Sequence, residues 1–155
     1  MSDYYLDASA LVKRYVDEVG GTWVRQMTAP RPGDTVLLAE ITLAEVAAAL
    51  AANHRVPGGI TLLQRDRALS LFLQDCATRF LLLPVDRIVL DRAVELTQNQ
   101  RLRGYDAVQL ASALVAADVM SASGLPPPTF VASDGNLLTA ALAQHLPIEN
   151  PLDHP

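Results

Sequence analysis

The segment Thr35-Val-Leu-Leu-Ala-Glu-Ile-Thr-Leu-Ala-Glu-Val-Ala-Ala-Ala-Leu-Ala-Ala52 holds a short apolar run followed by an alanine-rich stretch. The run Thr35–Ala39 is too short for a stable helix and is typical of a strand that is buried on both faces. The stretch from Thr42 to Ala52 is typical of a helix, because Ala and Leu favour helices strongly. The segment therefore predicts one strand–helix unit of an α/β fold.

The same alternation recurs along the rest of the chain. Further strands are predicted at Tyr4–Leu6, Phe80–Pro84 and Thr129–Ala132, and a short final strand is expected to start at Ile148. Turn-forming residues and candidate helices separate these runs. The other predicted helices are Ala8–Val16, Trp23–Met27, Thr61–Ala77, Asp86–Gln100, Tyr105–Met120 and Gly135–His145.

Continuous apolar strands that alternate with helices predict an α/β fold, a three-layer α/β/α sandwich with a mostly parallel sheet. In such sheets ligands bind beyond the carboxyl ends of the strands, at the point where the strand order switches direction. The length of 155 residues fits one domain, and no internal repeat or long linker divides it. We expect residues 1–150 to form this domain and residues 151–155 to form a short Pro-rich tail.

Composition excludes several classes of protein. A hydrophobic fraction of 50% with 19% charged residues excludes intrinsic disorder. The single cysteine, Cys76, excludes an internal disulfide and a cysteine-based zinc site. The N-terminus resembles no export signal and no apolar run reaches the ~18 residues of a membrane helix, which predicts a cytoplasmic protein without a membrane partner. The net charge of −5 argues at first sight against a nucleic-acid partner.

The common nucleotide-binding motifs of such sheets are absent. No G-x-x-x-x-G-K-[ST] occurs, Lys13 is the only lysine, and no G-x-G-x-x-G follows the first strand. Acidic residues follow the strands instead: Asp7 ends the first predicted strand and Asp134 ends the fourth. Each suits the start of a helix, so capping is the competing interpretation of both.

Two further carboxylates lie on predicted helices. Glu45 has no basic residue three or four positions away, and an isolated carboxylate on an apolar face is costly unless something pairs with it. The alternative is a solvated, alanine-lined face. Asp106 opens its helix, where capping again competes, and Gln109 lies one turn further on the same side.

The four carboxylates can converge at the carboxyl edge of the sheet. Together they would repel one another, and a hard divalent cation such as Mg²⁺ or Mn²⁺ would relieve that conflict. The histidines are scattered at His54, His145 and His154 and do not favour zinc. This pattern indicates metal-assisted hydrolysis of a phosphodiester. The negative net charge then fits the metal-free form of such a site.

Four stretches resemble the PIN-domain ribonucleases of the VapC type, the toxins of bacterial toxin–antitoxin pairs. They are Tyr5-Leu-Asp-Ala-Ser-Ala-Leu11, Thr42-Leu-Ala-Glu-Val46, Leu102-Arg-Gly-Tyr-Asp-Ala-Val-Gln-Leu-Ala-Ser-Ala-Leu114 and Phe130-Val-Ala-Ser-Asp134, and their order and spacing cover nearly the whole chain. The third stretch is the most specific. The Pro-rich segment Ser123–Pro128 is longer than this resemblance implies and leaves the four carboxylates in place.

The resemblance implies a Mg²⁺-dependent endoribonuclease whose catalytic and metal-binding carboxylates are Asp7, Glu45, Asp106 and Asp134. Residues matching Asp7 and Asp106 are the most direct metal ligands in that family. The resemblance also implies a homodimer and a cognate antitoxin that occludes the groove. Small hydroxyl residues commonly support such a site, and here they are Ser9 and Ser133.

Contacts to the RNA substrate are expected from basic residues near the acids. Eleven of the twelve basic residues are Arg, which suits bidentate phosphate binding. The candidates are Lys13, Arg14, Arg101 and Arg103, and the competing interpretation is that they are surface charges that confer solubility.

Three other functions compete with a ribonuclease. A signalling receiver domain also has an acid after its first strand, but it needs a lysine after a late strand, and Lys13 lies early. A non-catalytic PIN-like module would bind RNA or act as a scaffold without cutting. A nuclease for structured DNA would need extra helical insertions that 155 residues barely permit.

Overall fold

The computed structural model describes all residues, 1–155, and shows a five-stranded sheet between two layers of helices. Every pair of neighbouring strands is parallel, and the strand order is β3-β2-β1-β4-β5. The predicted mostly parallel sheet is therefore confirmed as an entirely parallel one. The strands are β1 (Asp3–Leu6), β2 (Thr35–Ala39), β3 (Leu81–Leu83), β4 (Thr129–Val131) and β5 (Ile148–Glu149).

Seven α-helices accompany the sheet, and two short 3-10 turns follow at Val12–Arg14 and Pro151–Asp153. The helices lie close to the predicted ranges, with shifts of a few residues at their ends. The helices are α1 (Ala8–Leu11), α2 (Gly21–Met27), α3 (Thr42–Arg55), α4 (Leu62–Thr78), α5 (Arg87–Asn99), α6 (Gly104–Ala122) and α7 (Gly135–Ala143).

The prediction of one helix over Ala8–Val16 was wrong, because α1 ends at Leu11 and a 3-10 turn replaces its continuation. The tighter turn places the Lys13 carbonyl against Gly21, where a Cβ atom would lie only 2.7 Å from that oxygen. Helix propensity describes each residue in its local segment, so it does not reflect this close approach of two chain segments.

Alternate residues of the strands point to opposite faces of the sheet and build two cores. Tyr5, Leu37 and Phe130 pack with α5, α6 and α7. Leu6 and Leu38, one position further along their strands, pack with the helices of the other layer, α1 to α4. This separation gives the predicted three layers.

The last residues pack against the domain. Pro151 is buried, and its carbonyl lies so close to Gly20 that a Cβ there would be 2.3 Å away; Gly20 also has a positive φ of 81°. The ring of His154 stacks on Trp23 at a centroid distance of 4.3 Å. The Pro-rich tail is thus fixed to α2. No helix of the chain has the length and apolar character that crossing a membrane requires.

Candidate functional site

The strand order switches direction between β1 and β4. From β1 the chain first builds outward to β2 and β3, and later crosses to β4 and β5 on the other side. A crevice at such a switch point is where parallel α/β sheets bind ligands. Asp7 directly follows β1, and its backbone N–H donates to the Val131 carbonyl of β4 at 3.1 Å. Asp134 follows β4 by three residues, so both predicted strand-end acids lie at this point.

Asp7 is the most buried of the four carboxylates, with 6% of its surface exposed. Its Oδ1 atom accepts hydrogen bonds from the Ser9 hydroxyl at 2.8 Å and from the Ala10 backbone N–H at 3.2 Å. Burial raises the pKa of the Asp7 carboxyl to about 7, the hydrogen bonds from Ser9 and Ala10 act in the opposite direction, and the charge of Glu45 adds to the rise. Asp7 therefore caps α1, and its burial disfavours the ionised form of its carboxyl.

Ser9 connects the two strand ends. Its hydroxyl oxygen accepts a hydrogen bond from the Ser133 backbone N–H at 2.9 Å while the same hydroxyl donates to Asp7. The Ser133 hydroxyl is buried and has no hydrogen-bond partner. A buried polar atom without a partner is rare and indicates a site that binds something further.

Glu45 lies in the first turn of α3 and is half-buried. Its partner is the Gln109 side chain of α6, which donates from Nε2 to Glu45 Oε2 in a short hydrogen bond. Burial raises the pKa of Glu45, the Gln109 hydrogen bond opposes the rise, and the charge of Asp106 adds to it. The interpretation of Glu45 as a carboxylate on a merely solvated face is wrong, because an uncharged amide from another helix pairs with it.

Asp106 and Asp134 complete the set. Asp106 is the third residue of α6 and interacts with the Arg103 backbone at the start of that helix. Burial and, after it, the charge of Asp134 raise the pKa of Asp106, while Arg103 lowers it. Asp134 caps α7 by accepting from the Leu137 N–H at 3.0 Å. Capping thus uses Oδ1 of Asp134, and Oδ2 makes no hydrogen bond within the chain.

The four predicted carboxylates interact in a chain: Asp7 with Glu45, Glu45 with Asp106, and Asp106 with Asp134. No three His, Cys, Asp or Glu side chains lie close enough together to form a complete metal-binding cluster. The donors nevertheless fit Mg²⁺ or Mn²⁺ in kind, since they are carboxylate oxygens of like charge beside the unpartnered Ser133 hydroxyl. A divalent cation would reduce the repulsion among these charges.

An open groove of about 720 Å³ begins at Glu45 and Asp106 and continues between α5 and α6. We refer to it as the α5–α6 groove. Its walls include Leu90 and Val94 of α5 together with Arg103 and Tyr105 at the start of α6. Tyr105 is 68% exposed, and every other aromatic side chain of the protein is buried or partly buried. Tyr105 was not predicted as a groove residue from the sequence, although it directly precedes Asp106.

The four basic residues expected to contact RNA lie in different settings. Lys13 is buried and donates to Glu18 at 3.2 Å. Arg14 binds Asp75 at 3.0 Å and Thr28 at 2.9 Å, toward the amino ends of the strands and away from the acids. Arg101 and Arg103 are both exposed just before α6, and Arg103 lines the α5–α6 groove together with Asp106. Of the four, the structure thus places Arg103 at the acids, and RNA contact by all four stays a prediction.

Comparisons with known proteins agree with this geometry. The family model of the PIN domain matches residues 4–120, and the chain therefore belongs to the PIN domain family. Among curated proteins none matches the chain. Solved structures with a similar fold include a toxin–antitoxin complex from Klebsiella pneumoniae, which has a TM-score of 0.55 at 17% identity and covers 96% of this chain and 97% of that one.

Three of these structures cover nearly the whole chain. The FitAB complex bound to an IR36 DNA fragment has a TM-score of 0.65 at 18% identity, covering 96% of this chain and 95% of that one. VapC20 of Mycobacterium tuberculosis, a toxin that cleaves the sarcin–ricin loop, has a TM-score of 0.60 at 20% identity, covering 90% and 95%. VapBC2 of Rickettsia felis, bound to a promoter DNA fragment, has a TM-score of 0.61 at 15% identity, covering 96% and 98%.

Proposed function

We propose that this chain is a divalent-metal-dependent endoribonuclease and the toxin of a toxin–antitoxin pair. The observation that carries the proposal is the series of neighbouring carboxylates at the switch point of a PIN-domain sheet, with the buried Asp7 at one end of it. Asp7, Glu45, Asp106 and Asp134 would hold Mg²⁺ or Mn²⁺. When bound, the cation supplies activation of water and neutralisation of charge on the phosphate.

The chain's own residues perform the remaining tasks. Ser9 holds the Asp7 carboxylate and ties it to the end of β4, so the two strand-end acids keep a fixed separation. Arg103 lines the α5–α6 groove together with Asp106, and Arg101 lies two residues earlier in the chain; their guanidinium groups would bind the RNA phosphates. The α5–α6 groove offers Tyr105 as a stacking surface, which supports RNA with unpaired bases as the substrate.

Cleavage assays with purified protein test this function. We expect RNA to be cut in the presence of Mg²⁺ or Mn²⁺ and to remain intact when EDTA removes the metal. Asp7→Asn and Asp106→Asn should abolish cleavage while preserving the fold. Asp118→Asn is the matched control, since Asp118 is an exposed carboxylate on the same helix α6 and should be dispensable.

The competing function is a PIN-like module that binds RNA or acts as a scaffold without cutting. It predicts RNA protection that is independent of metal and unaffected by Asp7→Asn. If the Asp7→Asn protein cuts RNA as well as the wild type does, the assignment of the metal site is wrong.

The proposed partners are a cognate antitoxin and a second copy of the chain. The toxin–antitoxin complex from Klebsiella pneumoniae, which has a similar fold, supports the first. We expect a small open reading frame directly upstream that encodes a DNA-binding N-terminus and a disordered tail. Its product should co-purify with this chain and inhibit cleavage. Light scattering during gel filtration tests the homodimer.

A further inference from the structure

Gln109 is the most deeply buried polar side chain that contacts the proposed catalytic carboxylates. Only 2% of its surface is exposed, and it lies one turn after Asp106 on α6. Its amide connects α6 to two other elements. It hydrogen-bonds to Tyr5 of β1 on one side and to Thr42 and Glu45 of α3 on the other. A buried amide with this many partners has little freedom to rotate.

The chemistry of the partners determines which way the amide faces. An ionised carboxylate only accepts hydrogen bonds, so the amide nitrogen of Gln109 must face Glu45. The same nitrogen donates to Thr42 Oγ1 at 2.9 Å. The amide oxygen is left for Tyr5, whose hydroxyl donates to it at 2.7 Å. The Glu45 carboxylate therefore sets the orientation of the amide, and the Thr42 and Tyr5 hydroxyls, which can donate or accept, are compatible with it.

Tyr5 is itself held in the centre of the sheet. It is fully buried, and its ring stacks on Phe130 of β4 at a centroid distance of 5.5 Å and an interplanar angle of 8°. Tyr5 lies on β1 two residues before Asp7, which directly follows this strand, so Tyr5 is linked to the other side of the site. The orientation of Glu45 is thus determined by the core of the sheet through Tyr5 and Gln109.

We infer that Gln109 is a positioning residue that fixes the Glu45 carboxylate for cation binding and that Tyr5 and Thr42 hold Gln109 in the orientation required. This inference rests on the proposed metal-dependent function. Gln109 uses Glu45 Oε2, and Oε1 makes no hydrogen bond within the chain and is free for a cation. Partners of this kind, which orient a ligand without touching the metal, typically contribute 10- to 100-fold to metal affinity or activity.

Mn²⁺ binding, measured by calorimetry and by electron paramagnetic resonance on the full chain, tests the inference without relying on cleavage. We expect Gln109→Met, which keeps the length of the side chain but not its hydrogen bonds, to weaken Mn²⁺ binding by about 10-fold or more. Tyr5→Phe should weaken it less, because the amide keeps Thr42 and Glu45. The double variant Tyr5→Phe, Gln109→Met should bind Mn²⁺ as weakly as Gln109→Met alone, because Tyr5 acts on Glu45 only through Gln109.

Leu114→Ala provides the control for a loss of stability. Leu114 is buried on the same helix but contacts neither Glu45 nor Gln109 through hydrogen bonds. It should lower the melting temperature and leave Mn²⁺ affinity unchanged. If Gln109→Met binds Mn²⁺ as tightly as the wild type while Asp7→Asn does not bind it, the positioning role of Gln109 is wrong. The proposed metal site would then still stand. Absence of Mn²⁺ binding in the wild type would overturn the metal-dependent function, and the positioning role with it.

Discussion

The Ser9 hydroxyl accepts a hydrogen bond from the Ser133 backbone N–H at 2.9 Å, although the two residues are 124 positions apart in the sequence. Ser9 follows β1 and Ser133 follows β4, so this bond crosses the switch point of the sheet. Because the same hydroxyl also donates to Asp7, the position of this proposed catalytic carboxylate is tied to the loop that carries Asp134.

Replacing Ser9 should disturb the site more than the fold. In Ser9→Ala, Asp7 loses a hydrogen bond that favours its charged form, and the Ser133 N–H loses its acceptor. We expect Mn²⁺ affinity and RNA cleavage to fall by about 10-fold or more, the usual effect of removing a residue that orients a metal ligand. Calorimetry and a cleavage time course measure these effects.

Ser133→Ala is the companion variant for stability. It removes a buried hydroxyl that has no partner and keeps the backbone N–H that binds Ser9. Its melting temperature in EDTA should equal or exceed that of the wild type, because an unsatisfied buried hydroxyl destabilises the folded state. A clear loss of stability would show that this hydroxyl has a partner in the folded protein.

The stability of the metal-free protein should decrease as the pH rises from about 4 to about 7. The folded Asp7 has a pKa of about 7, above the ordinary value of 3.8, so in this range the native state holds a proton that the unfolded chain has released. Above pH 7 the folded state contains a buried charge, which costs on the order of 2–4 kcal/mol. The raised pKa values of Glu45 and Asp106 act in the same direction.

Thermal unfolding in EDTA at pH 5 and pH 8 measures this dependence. Asp7→Asn should melt higher than the wild type at pH 8 and show a weaker dependence on pH. Saturating Mg²⁺ should raise the melting temperature of the wild type at pH 8 by several degrees through linkage, and it should have little effect on Asp7→Asn. A wild-type protein that is more stable at pH 8 than at pH 5 in EDTA would contradict the raised pKa of Asp7.

Tyr105 should contribute to RNA affinity through base stacking. In an Asp7→Asn background that prevents cleavage, Tyr105→Ala should weaken the binding of unpaired RNA by roughly 5- to 150-fold, the loss that about 1–3 kcal/mol of stacking implies. Tyr105→Phe should retain affinity, because the ring and not the hydroxyl provides the stacking. Fluorescence anisotropy with a labelled oligonucleotide measures both variants.

Val119→Ala is the control for this prediction. Val119 is 65% exposed on the same helix α6 but does not line the α5–α6 groove. RNA affinity should be unchanged in this variant. Equal affinities of Tyr105→Ala and Val119→Ala would mean that the groove does not receive a base.

Arg14 should contribute to the stability of the fold, and Arg103 should contribute to RNA binding. Arg14 and Arg79 both bind Asp75, and the Tyr15 hydroxyl donates to Asp75 at 2.7 Å. Burial raises the pKa of Asp75, but these hydrogen bonds and charges outweigh it and lower the pKa. The cluster therefore stabilises the fold at neutral pH, and this contribution is lost as the pH falls below about 4.

We expect Arg14→Gln to lower the free energy of unfolding by about 1–3 kcal/mol at pH 7 and to leave RNA affinity almost unchanged. Arg103→Gln should weaken RNA binding and reduce its dependence on salt concentration, with little change in stability. Denaturant unfolding and anisotropy measure the two properties. Weakened RNA binding in Arg14→Gln, at a temperature where the protein remains folded, would restore Arg14 as an RNA contact.

The sequence predicted the elements and the edge at which the acids lie. Periodicity and apolar runs located β1 and β4, and Asp7 and Asp134 follow these strands as expected. This worked because the carboxyl ends of parallel strands necessarily share one edge of the sheet. The prediction of one helix over Ala8–Val16 was wrong. The Lys13 carbonyl packs closely against Gly21, and helix propensity within Ala8–Val16 does not reflect this contact with a following segment.

The sequence by itself determined the residue types of the site: four carboxylates at strand ends and helix starts, in an α/β chain without a phosphate-binding loop. Only the tertiary structure decided how these carboxylates are held and which basic residues lie near them. Ser9 meets Ser133, Gln109 meets Glu45, and Arg14 turns to Asp75. Such contacts arise from the packing of elements that are distant in the chain, and the strength of a hydrogen bond depends on distances that packing alone sets.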